Sequence, residues 1–355
     1  MRKTMHMSER GTVQTVLGPV APESLGHVQP HEHVLIDLCR PPARELPATA
    51  RRAYYEPIRL DNYYALRRGN FNLYDRQLLD VDDAIAELSR YRELGGGTIV
   101  DVTSIGLGRD PEGLAHVARQ SGVQIVMGAG YYVREFHPTY VADRDEAALT
   151  AQIVADIVDG VDGTGIRAGL IGEVGLTGMG HPDEMKVLRA AARAQRETGV
   201  ALMIHPGRDE DAPFAALEVV EQAGGALDRV VICHLDRTLL ATEPLRRLAA
   251  TGCYLEFDLF GQESSYYAFA DIDMPNDARR VDFLVALVDA GYRDQLLISQ
   301  DIYRKAHLCR YGGEGYGHIL ANVLPVMRRK GLSEADIAAI TRGNPARMLT
   351  TEGTL

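Results

Sequence analysis

The sequence predicts an α/β chain closed as a (β/α)8 barrel, and three observations predict it. Eight short apolar runs recur along the 355 residues. Amphipathic stretches of helical period separate them, several ending in glycine. No glycine-rich dinucleotide loop follows the first run, as it usually would in an open doubly wound sheet.

The first run, 31–38, opens with His31 and His33 and continues as the strand-like stretch 34–38. The others are 98–103, 123–128, 168–174, 201–205, 229–234, 253–258 and 296–301. Near-continuous apolar runs of this length suit strands buried on both faces, as in parallel sheets. Helical period falls on 82–94, 111–121, 146–159, 182–198, 214–223, 243–251, 278–290 and 319–330. Glycines at 95–97, 199, 224–225, 252 and 291 supply stop signals. No composition break, repeat or low-complexity tract marks a boundary, so residues 1–355 read as one domain, with 1–10 as a poorly ordered leader.

Chemistry gathers where the runs end. Residues i and i+2 of a strand point the same way, so His31 and His33 would aim two imidazoles at one place. Imidazole is the commonest protein ligand for transition metals. Glu173 lies inside the apolar run Ile-Gly-Glu-Val-Gly, and a buried carboxylate is costly unless paired or bound to metal. His205, His234 and Asp301 close runs five, six and eight. One such residue is often only a cap. Six of them at the strand ends of one barrel, which converge on a single mouth, need a common cause.

The ordered set Gly11-Thr-Val-Gln-Thr-Val-Leu-Gly18, Gln29-Pro-His-Glu-His33, Ile171-Gly-Glu-Val-Gly175, His205-Pro206, His234-Leu-Asp-Arg237 and Ser299-Gln-Asp301 resembles the phosphotriesterase family of the amidohydrolase superfamily, over 11–349. The resemblance implies a distorted TIM barrel with long βα loops and a binuclear metal centre. His31, His33 and Asp301 would hold the more buried ion, and His205 and His234 the more exposed one. Glu173 would bridge them together with a hydroxide, where many relatives use a carboxylated lysine. A carboxylate bridge needs no carbon dioxide, so reconstitution should not depend on bicarbonate. The ions are two divalent metals, zinc first, with manganese, cobalt and iron as alternatives. The resemblance also favours a homodimer.

Two such ions lower the pKa of a shared water, and about +4 of metal against about −3 of ligands leaves a positive centre that polarises an oxygen. Asp301 is the expected catalytic proton acceptor. The function expected is metal-dependent hydrolysis, with the bridging hydroxide attacking an ester-type carbonyl. A small lactone, plain, phosphorylated or carboxylated, is the first substrate; a phosphoester or organophosphate is the alternative, and a metal-retaining binding protein without turnover is the third reading.

Substrate choice falls to the loops. The long first loop, 39–79, reads as a lid or subunit contact. Tyr131 and Tyr132 follow run three, Tyr266 and Tyr267 follow run seven, and Arg237, Lys305 and Arg310 follow runs six and eight. Cations gathered beside metals favour a substrate with a carboxylate or phosphate handle, the alternative being surface salt bridges to Asp236 or Glu314. The net charge of −11 argues against nucleic acid or an anionic membrane as partner. No apolar run approaches the ~18 residues of a membrane span, so a cytoplasmic protein acting on a small molecule is expected. Cys39, Cys233, Cys253 and Cys309 form no CxxC pair, and neither a disulfide framework nor a cysteine nucleophile is expected.

Overall fold

A computed structural model of the chain describes residues 11–39, 46–68, 71–264 and 267–351. The expected leader and Tyr266 lie outside these residues. Eight parallel strands pair in chain order, seven on the expected runs and the first beginning ahead of its run: β1 His27–Glu32, β2 Gly96–Asp101, β3 Gln124–Ala129, β4 Leu170–Gly175, β5 Leu202–His205, β6 Val230–Ile232, β7 Tyr254–Phe257 and β8 Leu296–Ile298. Helices cross between them: α1 Val81–Glu93, α2 Pro111–Ser121, α3 Glu146–Val158, α4 Pro182–Thr198, α5 Ala212–Gln222, α6 Thr242–Ala249 and α7 Asp277–Asp289. The last crossover is a π turn, Ile319–Val323, that continues as α8, Leu324–Arg329.

Local chemistry sets the helix ends. Asp80, Asp110 and Asp145 cap α1, α2 and α3 by accepting first-turn amides, which offsets donors that have no partner inside the helix. Gly122 and Gly199 close α2 and α4 at φ 70° and 71°, a conformation costly for a side chain with Cβ.

The sheet closes into a hoop through a side chain. The His31 amide donates to Ser299 Oγ at 3.0 Å, and that hydroxyl donates to the His31 carbonyl at 2.8 Å. The Asp301 amide donates to the same carbonyl at 3.2 Å. The seam between β1 and β8 is thus a hydroxyl bridge where a regular ladder would run, which is the distortion expected of this barrel.

Strand faces divide the core. Val100, Val126, Leu170, Met203, Val231 and Leu297 fill one cluster with Val13, Leu25, Met348 and Leu349, which plug the bottom of the barrel. All ten are at most 1 % exposed, and burying each such side chain stabilises the fold by about 1.5–3 kcal/mol. With apolar packing filling the lower barrel, polar residues are left to the upper end.

One strand differs from expectation. The first run places its strand at 34–38, whereas β1 is His27–Glu32 and ends between the two histidines. Residues Ile36–Asp37 instead pair antiparallel with Gln77–Leu78, inside the first loop. An apolar run signals burial, and here burial comes from packing under that loop. The loop also carries two short helices, Ala48–Tyr55 and Tyr63–Arg67; Asn72 holds the end of the first, its side-chain amide donating to the carbonyls of Ala53 and Glu56 at 2.7 and 2.8 Å. All four cysteines are free.

Candidate metal centre

The upper ends of β1, β4, β5, β6 and β8 bring His31, His33, Glu173, His205, His234 and Asp301 together, none more than 9 % exposed. Glu173 stands in the middle. Its Oε2 is 3.0 Å from His205 Nδ1, 3.4 Å from His234 Nε2 and 3.6 Å from His31 Nε2, and its Oε1 is 3.5 Å from His33 Nε2. Asp301 Oδ1 closes the other side, 3.5 Å from His33 Nε2 and 3.8 Å from His31 Nε2. His234 and Asp301 both adopt left-handed backbone, φ 55° and 49°, which non-glycine residues hold mainly where the surroundings demand it.

These residues fit a metal. Donors about 2.1 Å from a tetrahedral ion stand about 3.4 Å apart, the spacing found around Glu173. His31 Nε2 is buried and has no hydrogen-bond partner among the described residues, an expensive state for a ring nitrogen with nothing to bind. Imidazole and carboxylate together suit zinc, manganese, cobalt or iron.

Carboxylates that sequence reasoning gave no role hold the ligands from behind. Asp258 Oδ1 is 2.7 Å from His234 Nδ1, while its Oδ2 accepts the His234 amide at 2.9 Å and lies 3.4 Å from His31 Nδ1. Glu256 Oε2 is 3.2 Å from the same His31 Nδ1. Glu32 accepts the amides of Gln300 and Ile302, both at 2.8 Å, and so grips the turn that presents Asp301. Thr103 Oγ1 meets His33 Nδ1 at 2.9 Å. For Glu256 and Asp258 the signal in the sequence was their i, i+2 spacing at the end of β7, two acids aimed to one side.

The charges are mutually adjusted. Burial alone would lower His31, but Asp258, Glu173 and Glu256 carry it up to about 10. Against the same burial penalty, Asp301 and Glu173 bring His33 to about 9, and Asp258 brings His234 to about 10. His205 falls to about 3, through burial and its neighbour His234. Burial would raise Glu173, yet His205 and His31 hold it well below the usual carboxylate range; against the same penalty His33 and His31 lower Asp301.

Above the cluster lies a cavity of about 310 Å³, the size of a small-molecule pocket. Tyr132 lines it, with Oη 3.4 Å from His205 Nδ1. Arg237 lines it too: Nη2 reaches His205 Nε2 and the Pro206 carbonyl, both at 3.1 Å. Three other expected substrate contacts are placed elsewhere. Tyr131 points the opposite way from Tyr132, is fully buried, and packs edge-on against His137 and Tyr140. Lys305 sits in a single helical turn that directs its ammonium into the first loop, onto the carbonyls of Tyr74 and Gln77. Arg310 is ion-paired with Asp83 on α1, where Glu87 accepts the amides of Cys309 and Arg310. In exchange the cavity gains two arginines that sequence reasoning passed over, Arg76 and Arg208.

Comparison with known proteins agrees with this geometry. The model of the phosphotriesterase family matches residues 11–349. An N-acetyltaurine hydrolase from Bos taurus is 41 % identical over 345 residues, covering 96 % of this chain and 98 % of that protein. The crystal structure of a resiniferatoxin-binding protein from Rhodobacter sphaeroides superposes with a TM-score of 0.90 at 36 % identity, covering 96 % of each chain. A lactonase from Listeria monocytogenes superposes at 0.75 with 26 % identity, over 96 % of this chain and 99 % of that one. Strand order, the donor set on the strand ends and full-length sequence similarity converge, and the chain belongs to the phosphotriesterase family.

Proposed function

We propose that this chain is a metal-dependent hydrolase that cleaves a small acyl compound at a planar carbonyl. The first substrate class is an N-acyl amide whose amine half carries an acid, and the second is a lactone. The observation that carries the reaction type is the position of Glu173, within 3.6 Å of four imidazole nitrogens on the floor of an accessible cavity. The amide preference is supported by relatives named N-acetyltaurine hydrolase at about 40 % identity along the whole chain. The Listeria lactonase supports the second class.

His31, His33 and Asp301 would hold one divalent ion and His205 and His234 the other, with Glu173 between them. When bound, such ions lower the pKa of water and polarise a carbonyl oxygen. The side chains supply the rest. Asp301 is ionised at neutral pH, held below its usual range by the His33 and His31 rings, and accepts the proton of the attacking water. Amide cleavage then breaks the C–N bond and needs a proton on the departing nitrogen, which Asp301 returns. Burial pushes the Tyr132 hydroxyl well above its ordinary value, so it stays protonated and donates to the carbonyl oxygen.

The test is a hydrolysis panel on zinc-loaded and manganese-loaded protein: N-acetyltaurine, N-acetyl-β-alanine, unsubstituted γ- and δ-lactones, and an organophosphate triester. Turnover of the N-acyl acids is expected. Turnover confined to lactones would move the second class to first place. Turnover confined to the triester would replace both with phosphoester hydrolysis, and a fully loaded but silent protein would leave the binding-protein reading.

A further inference from the structure

We infer that Arg208 and Arg237 form an acid-binding subsite on the β5–β6 side of the cavity, reading a sulphonate or carboxylate on the leaving half of the substrate. The inference rests on the proposed hydrolysis for its substrate and on the following geometry for its location.

Each arginine stands three residues beyond a histidine of the cluster, Arg208 after His205 and Arg237 after His234. β5 and β6 are neighbours in the sheet, so the two loops deliver both guanidinium groups to one side of the same cavity. Arg237 is 3 % exposed, yet its hydrogen-bond partners among the described residues carry no negative charge: Thr238 Oγ1, the Pro206 carbonyl and His205 Nε2. Arg208 donates Nε–H to Tyr267 Oη at 3.3 Å and stacks over Phe269 at 5.1 Å, contacts that fix the plane of its fork. Among the described residues neither has a carboxylate within ion-pair distance. A desolvated guanidinium without a counter-ion is costly, and a bound oxyanion removes that cost with paired hydrogen bonds.

The opposite wall differs. Ile36, Leu107, Val133 and Phe136, from the loops after β1, β2 and β3, make it largely apolar, and its two charges, Glu135 and Arg76, are of opposite sign. An anion gains most beside the two neighbouring arginines of the β5–β6 side. The substrate is thereby oriented: the acyl group lies over β1–β3, the scissile carbonyl over Glu173, and the acid over β5–β6.

The experiment compares Arg208→Ala and Arg208→Lys with the parent in metal-loaded protein. It measures kcat/KM for N-acetyltaurine and for a neutral isostere, N-acetylpropylamine, and the inhibition constant of ethanesulphonate. Loss of a charged hydrogen-bond pair costs about 10- to 100-fold, so the acid-to-neutral preference should fall by that factor in Arg208→Ala. Ethanesulphonate should weaken in parallel, mainly through KM-type competition, and Arg208→Lys should recover only part of either. Arg310→Ala, in the loop after β8 where the side chain pairs with Asp83 of α1, serves as the unchanged control. An acid-to-neutral ratio within twofold of the parent would overturn the subsite. If no amide is turned over, calorimetric binding of ethanesulphonate to parent and variant still decides: equal affinity, or none, refutes the subsite, whereas a parent-only signal upholds it and leaves the reaction assignment alone at fault.

Discussion

Two sides of the cluster are backed by opposite charges. His31 and His234 lean on Glu256 and Asp258, both fully buried, whereas His205 has the guanidinium of Arg237 at its back. An imidazole whose far nitrogen donates to a carboxylate is a more basic ligand and is locked in one tautomer. A guanidinium only donates, so His205 Nε2 can accept from Arg237 only while its proton sits on Nδ1, the nitrogen that faces Glu173. The lesson is that the cluster has a strong side and a yielding side, and Asp258 ties the strong side together by touching both His31 and His234.

Asp301 sits outside that contrast and sets its upper scale. Asp301→Asn should keep the fold and lower hydrolysis by about 10²–10⁴-fold, since it would remove the proposed proton acceptor and leave an amide oxygen in its place. Near-normal turnover in steady-state assays would take Asp301 out of the mechanism.

The contrast itself is tested behind the histidines. Asp258→Asn should weaken metal binding by about 10- to 100-fold at both positions, read as metal content after dialysis against graded chelator. Glu256→Gln should weaken only the ion on His31, because Glu256 touches that ring alone. Equal losses in the two variants would mean that Asp258 does not link His31 to His234.

A smaller effect appears on titration. His31, His33 and His234 are raised in the metal-free fold to about 10, 9 and 10, above an unfolded value near 6.5. Groups raised in this way add stability that is complete below pH 6.5 and is lost as pH climbs through 9–10. The metal-free protein should therefore melt lower at pH 9.5 than at pH 6.5. Metal must displace those protons, so its affinity should rise over the same window, with proton release on loading visible in weak buffer. His205, lowered to about 3, titrates below that window and does not blur it. Parallel trends for metal-free and loaded protein would contradict the assignment.

The smallest expected effect belongs to Arg310→Ala. Its partner is Asp83 and its side chain is 59 % exposed, so stability should move within about 0.5 kcal/mol and KM for anionic substrates should not change. A selective rise in KM would bring Arg310 back to the cavity.

These contrasts also explain what the sequence could disclose. Helix α4 was legible to the residue because amphipathic period, Pro182 and Gly199 all agree on its ends. The six cluster residues were legible because parallel strands deliver their ends to one mouth. The first strand slipped because 34–38 is apolar for a different reason, its cover by the loop. Tyr131 and Tyr132 are adjacent in sequence, and only the strand's phase decides which one faces the cavity. Lys305 and Arg310 depend on the path of a loop after β8, for which no periodicity exists. Arg208 was in view three residues past His205, but a cation beside a glycine carries no mark that separates it from surface charge.

The hydroxyl bridge at the β1–β8 seam has one more consequence. His31 supplies the carbonyl that latches the hoop, and Asp301 hangs from that same carbonyl by its amide. An ion shared by the two side chains would bind the seam from the inside, as a rivet does a joint. Heat that springs the joint must first expel the rivet, so amide hydrogens along β1 and β8 should exchange with solvent far more slowly in loaded protein than in stripped protein. The reactive floor and the mechanical closure of this barrel are the same few atoms.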